Sequence, residues 1–201
     1  FISQPAISKH IQELEKEYGV QLFDRIGNRI QLTRAGQLML DHACKIIDAY
    51  RDVGIREISL SDASGMAYPS QVVQICHTVK EKYPDCSWWL HFHNTRGLGI
   101  ANILAGMSEG FTQFDTSFAG TGGCPFVPGA AGNVSSEDVV HMCEEMGIQT
   151  GIDLDQLMTI SRSVAEFLGH PTDSYLLRAG KASDLILDVP KRQAKNHTQS
   201  K

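Results

Sequence analysis

Apolar residues over the first fifty positions fall into two helical stripes with an alternating stretch between them. Ile7, Ile11, Leu14 and Tyr18 recur at three- and four-residue spacings, which predicts a helix from Pro5 to about Tyr18. Ser3 suits its N-cap, Pro5 its first turn, and Gly19 its left-handed end. "VQLFDRIGNRIQLT" then alternates apolar and polar around Gly27-Asn28, the pattern of a small hairpin. Thr33 opens a second helix through Leu38, Leu40, Ile46 and Ile47, ending near Tyr50.

From Gly54 the pattern changes to strand, loop, helix, repeated. "IREISLSD" is a short apolar run ending at Asp62, followed by a loop and a helix from about Ser70 to Tyr83. "SWWLHFHN" is a second strand, with a helix in "TRGLGIANILAGMSEG". "FTQFDTSFAG" reads as a third strand, leading into the loop "TGGCPFVPGAAGN". Helices at about 135–146 and 153–168 close the series. Strands alternating with helices mean an α/β fold of parallel units, with ligand chemistry at the C-terminal strand ends. From Lys181 the sequence is polar and aperiodic, which predicts disorder.

Composition narrows the function classes. The 201 residues are 42% hydrophobic and 20% charged, enough to build a core. No apolar run is long enough to span a membrane, and no leader pattern stands at the start. The five cysteines have no paired spacing, which fits reduced thiols and a cytoplasmic location. The net charge of −5 is uneven: residues 1–53 carry 7 basic and 7 acidic groups, and residues 54–170 carry 5 and 13. Residues 171–201 carry 6 basic and 3 acidic groups. Such asymmetry suggests bodies with different partners.

Residues 3–36, with "SQPA-S", "LE", "G-LF-R" and "LT-AG", resemble the N-terminal domain of LysR-type transcriptional regulators. The resemblance implies a winged helix-turn-helix. Gln4, Ser8 and Lys9 would lie near bases or phosphates, and Arg25, Arg29 and Arg34 near backbone phosphates. The family places two further helices before this stretch, and only Phe1 and Ile2 precede it here. The expectation is weak or no specific DNA binding.

In the body, His91-Phe92-His93 puts two imidazoles on one face of a strand at its C-terminal end. Asp62 ends the preceding strand; Cys124 and Asn133 belong to the loop after the next one. Gly120, Gly122 and Gly123 allow that loop to turn sharply and approach a ligand. A cysteine bracketed by glycines and Pro125 is poorly placed for a core. These residues, with "EISLSD-SG", "HFHNTRG", "ANILAG", "GTGGCPFVPGAAGNVSSEDVVHM" and "MGI-TGIDL", resemble the hydroxymethylglutaryl-CoA lyase family of metal-dependent TIM-barrel enzymes, from about Gly54 to Pro171.

That resemblance implies that His91, His93 and Asn133 bind a divalent cation, Mg²⁺ or Mn²⁺. It implies retro-Claisen cleavage of a 3-hydroxyacyl-CoA substrate to acetyl-CoA and a keto acid such as acetoacetate. Asp62 and His91 are the candidate bases, and Cys124 helps protonate the enolate. Asn94 and Arg96 stand where some relatives carry Asp and Tyr, which leaves the acyl-CoA open. About three of the eight strands of a (βα)8 barrel are expected, corresponding to the last three, and the family's first-strand Arg-Asp pair has no counterpart before Gly54. This predicts weak metal binding and self-association.

The expected organisation is therefore three segments. Residues 1–50 are a partial regulator-like domain, 54–170 a partial TIM barrel, and 171–201 a polar tail. Together with a start at Phe1 rather than Met, this reads as a fusion of two truncated modules. The alternatives to a lyase are a DNA-binding regulator fragment and an inactive fusion.

Overall fold

The computed structural model describes residues 15–16, 19–26, 29–123, 127 and 129–185; for Phe23, Arg25, Ile26, Arg29, Ile30 and Leu185 it describes the backbone alone. The first expected helix lies outside these residues except for Glu15 and Lys16, which are helical, and Gly19 beyond them has φ 66°. The hairpin forms as expected: β1 (Phe23–Ile26) pairs antiparallel with β2 (Arg29–Leu32), Ile26 opposite Arg29. Helix α1 (Arg34–Asp52) comes next, and the Thr33 hydroxyl caps it by accepting Gly36 N–H at 3.1 Å.

The βα series then appears as β3 (Glu57–Asp62), α2 (Pro69–Lys82), β4 (Ser87–Phe92), α3 (Gly99–Ser108) and β5 (Phe114–Asp115). The three strands form one sheet in the order β3-β4-β5, and β4 and β5 run parallel. After a 3-10 turn at Phe118–Gly120 come α4 (Ser136–Glu145), α5 (Leu154–Leu168) and α6 (Tyr175–Ala179).

The third strand is far shorter than the sequence suggests. Beyond Asp115 the chain exchanges its partner: Ser117 N–H donates to Val134 O, and Ser117 O accepts Ser136 N–H. The expected tail also begins differently. Ser174 caps α6 through Leu177 N–H, and Leu176 is buried with Val140, Leu154, Leu157 and Met158. An apolar contact of this kind orders a segment whose composition alone looks solvated. Residues 186–201, the rest of that expectation, lie outside the described residues.

The described chain packs as two compact units interleaved in sequence. One takes residues up to Asp62, Met66–His91 and Ala101–Asp115; the other takes Ala63–Gly65, Phe92–Ile100 and residues from Thr116 onward. In the first unit, Trp88 and Leu90 of β4, Val72, Cys76 and Val79 of α2, and Ile103 of α3 are each buried. Gly106 lets α3 approach closely, because a Cβ there would stand 2.5 Å from Leu90 Cδ1. Helix α1 belongs to the same unit. Arg51 grips Asp85 through Nη2 and Nε at 2.9 and 3.2 Å, and its guanidinium lies 5.4 Å from the Tyr83 ring. Among the described residues no helix is long and apolar enough to cross a membrane.

Candidate functional site

The side chains that end the strands of the first unit are Asp62, His91 and Asp115. Asp62 is fixed by its own loop: Oδ1 accepts Met66 N–H at 3.1 Å and Oδ2 accepts Ala67 N–H at 2.8 Å. Asn102 of α3, almost fully buried, holds the same loop by donating to Ala67 O at 2.9 Å. His91 faces Asp115 across the β4–β5 pair, and its Nδ1 lies 3.7 Å from Asp115 Oδ2.

In the second unit, His93 and Asn133 face each other in an antiparallel bridge. Val134 N–H donates to Phe92 O at 3.2 Å and Asn94 N–H to Gly132 O at 3.1 Å. This is the non-hydrogen-bonded type of pair, the closer of the two, so both side chains project from one face as neighbours. His93 is buried. The Asn133 amide is oriented from below: Nδ2 donates to Thr121 O at 3.0 Å. Its Oδ1 is buried and has no hydrogen-bond partner among the described residues.

The glycines of the loop explain how this amide is held. A Cβ on Gly122, where φ is 98°, would stand 2.8 Å from Asn133 Nδ2. A Cβ on Gly132 would stand 1.7 Å from Gly120 O, so the two arms of the loop touch backbone to backbone at its neck. Gly123 meets no such crowding. Cys124 lies outside the described residues.

Asn94 holds the turn before α3, and Arg96 holds the loop after β3. Asn94 Oδ1 accepts Gly99 N–H at 3.1 Å, and Arg96 Nη1 donates to Ser64 O at 2.9 Å. Of the residues expected at DNA, Gln4, Ser8 and Lys9 lie outside the described residues. Arg25 and Arg29 are placed on β1 and β2 by backbone alone, and Arg34 is exposed at the start of α1.

Three residues are given no role by the motifs above: Asp115 and Asn102 in the first unit, and Glu137 in the second. Asp115 carries a usable signal, an acidic residue closing a strand as Asp62 does. Among the described residues, no three His, Cys, Asp or Glu side chains gather closely enough to hold a metal ion. The expected ligand set has two residues of those types, its third member being the Asn133 amide.

Comparison with known proteins gives one consistent relationship. The HMGL-like family profile matches residues 7–164, so it takes in most of the segment set beside LysR-type regulators. The chain is 44% identical over 138 residues to the (R)-citramalyl-CoA lyase of Chloroflexus aurantiacus, covering 69% of this chain and 44% of that protein. It is 37% identical over 144 residues to a hydroxymethylglutaryl-CoA lyase of Bacillus subtilis, covering 72% and 48%. Among solved structures, the hydroxymethylglutaryl-CoA lyase of Acinetobacter baumannii in complex with coenzyme A and 3-methylmalate matches with a TM-score of 0.66 at 47% identity, covering 72% of this chain and 48% of that one. The chain thus spans about half the length of the curated relatives it matches. The relationship covers the strands, the paired histidines and the glycine loop together, and on it the chain belongs to the HMGL-like family.

Proposed function

We propose that this chain carries the cation-binding and thiol-bearing portion of a carbon–carbon lyase that cleaves a 3-hydroxyacyl-CoA to acetyl-CoA and a keto acid such as acetoacetate. Family membership and the activities named for its relatives support the reaction class. One observation carries the reading: His93 and Asn133 are neighbours on one face, and the Asn133 oxygen is buried without a partner among the described residues.

His91, His93 and Asn133 would hold the cation. The donor set fits Mg²⁺ or Mn²⁺, being nitrogen and neutral oxygen rather than a closed thiolate shell. The His91–Asp115 contact also fits, because a ligating imidazole commonly carries a carboxylate on its other nitrogen. A cation held there supplies Lewis-acid polarisation of the substrate's hydroxyl and carbonyl oxygens.

The chain's own residues do the rest. Asp62, oriented by Met66 and Ala67 N–H, and His91 are the candidates to take the hydroxyl proton as the carbon–carbon bond breaks. Cys124, on the loop shaped by Gly120, Gly122 and Gly123, delivers a proton to the acetyl-CoA enolate. Asn94 orders the turn into α3 and Arg96 ties that turn to Ser64 O, and the identity of the acyl group is left open.

The test is acetyl-CoA release from hydroxymethylglutaryl-CoA and citramalyl-CoA with Mg²⁺ or Mn²⁺ present and after chelation. The reading expects metal-dependent release that Cys124→Ser and His91→Ala abolish. Release that persists at full rate in both variants would sink it.

A second reading has a specific observation in its favour. A hairpin followed by a long capped helix, β1-β2-α1, is the order of a wing and linker helix. On this reading residues 3–36 contact DNA weakly through Arg34 and the wing. A gel shift that strengthens at low salt, with a shallower salt dependence in Arg34→Ala, supports it; mobility unchanged by DNA at low salt ends it.

A further inference from the structure

Glu137 is fully buried at the second position of α4, and nothing in the proposed reaction uses it. Its Oε2 accepts Ala119 N–H at 3.2 Å and the Ser161 hydroxyl of α5 at 3.0 Å. Its Oε1 is buried with no partner among the described residues. Burying a carboxylate is costly unless donors meet it. Here two donors do, and the free N–H groups of the first helical turn favour a negative group at that place.

The residue it holds is also unusual. Among the described residues Ala119 is the only non-glycine with positive φ, at 56° with ψ 17°. A left-handed conformation crowds the Cβ of an alanine against the following carbonyl oxygen, so it is unfavourable. Two unfavourable features thus coincide at one contact, and that contact sets the course of residues 120–122. Immediately after Ala119, Gly120 presents its carbonyl to Gly132 at the loop neck. Thr121 O then accepts both Asn133 Nδ2 at 3.0 Å and the Ser117 hydroxyl at 2.6 Å. The reversal at Ala119 is what brings Thr121 O beneath the Asn133 amide.

We infer that Glu137 is a positioning residue: by holding Ala119 N–H it fixes the 119–122 segment that orients the Asn133 amide, with Ser161 as its second tie. The inference rests on the reading of Asn133 as a cation ligand for its purpose, but its geometry is tested separately. A packing role needs only a side chain of this volume. A positioning role needs an acceptor.

The experiment compares the full chain with Glu137→Gln, Glu137→Leu and Asn133→Ala, by hydrogen exchange and by Mn²⁺ titration followed by electron paramagnetic resonance. Glu137→Leu keeps the volume and removes the acceptor. It should speed exchange in the segment Phe118–Gly122 while α5 stays protected, and weaken Mn²⁺ binding about tenfold or more. Glu137→Gln keeps an oxygen for Ala119 N–H and should restore both. Combined with Asn133→Ala, the leucine variant should add no further loss, since both act through one amide.

Unchanged exchange at Phe118–Gly122 in Glu137→Leu overturns the inference. So does failure of glutamine to rescue, or faster exchange throughout the unit. If the unsubstituted chain binds no Mn²⁺, the cation reading falls and the exchange comparison still decides the positioning role. Where Glu137→Leu does not fold, Ser161→Ala carries the exchange test. It removes one tie and leaves the carboxylate, so faster exchange confined to Phe118–Gly122 supports the role and unchanged exchange overturns it.

Discussion

Asn133 has its amide nitrogen committed to Thr121 O and its oxygen uncommitted among the described residues, and the backbone at Gly122 permits this. Gly122→Ala would place a Cβ 2.8 Å from Asn133 Nδ2 at a φ of 98°, so the amide must move or the loop must. The expected outcome is a loss of Mn²⁺ affinity comparable to Asn133→Ala with little change in thermal midpoint. Gly123→Ala, where the added carbon meets nothing, should leave binding intact. Titration of the three variants side by side checks this.

A second residue-scale effect concerns pH. Burial, with the Glu109 carboxylate adding to it, pushes the Cys76 thiol up to about 11. The folded state therefore favours the protonated thiol. Its contribution is fully present below pH 9, the ordinary thiol value here, and is lost as pH rises through about 11. The loss is on the order of 2 kcal/mol. Urea unfolding between these limits should show a steeper decline in the unsubstituted chain than in Cys76→Ala.

At the scale of elements, α6 shows what holds a short helix in place. Asp138 of α4 accepts Tyr175 N–H at 3.0 Å and Leu176 N–H at 2.7 Å, which satisfies the free donors of the first turn of α6. Asp138→Ala removes that anchor and should cost about 1–3 kcal/mol. Exchange at the amides of Tyr175 and Leu176 should quicken before the rest of the chain responds. Hydrogen exchange with a urea midpoint measures both.

The same element explains part of what the sequence could and could not reveal. Helices α1, α2, α4 and α5 were legible because each carries an apolar stripe between recognisable ends; Thr33, Ser135 and Asp153 all cap as their residue types predict. β4 was legible by its alternation, with Trp88, Leu90 and Phe92 buried and their neighbours half-exposed. β5 was not, because its length depends on where Ser117 leaves for Val134 and Ser136, a choice of long-range partner. α6 was missed for the same reason, its anchor lying 37 residues away in sequence from Tyr175. In the site, the His93–Asn133 pair lay within a motif on both sides. Glu137 is one acid in an acidic helix start until Ala119 and Ser161 are seen around it.

For the whole molecule, the sheet of the first unit is covered unevenly. Parallel strands ordinarily carry cover on both faces. Here Trp88 and Leu90 are buried on one face, with α3 against Leu90 at Gly106, while Glu57, Ser59 and Ser61 of β3 are exposed and Trp89 and His91 of β4 are half-exposed. Among the described residues β3 and β5 are the sheet's edges, and unpaired strand edges invite pairing with other chains. No further strand among the described residues pairs with β3 or β5. We therefore expect self-association through the edges and the exposed residues of this sheet. The average mass in sedimentation velocity should rise with concentration, and Trp89→Lys should shift it towards monomer without lowering the thermal midpoint. Association that persists unchanged in Trp89→Lys would move the contact elsewhere, and the exposed apolar side chains of α1, among them Leu38, Leu40 and Ile46, would then be the next surface to alter.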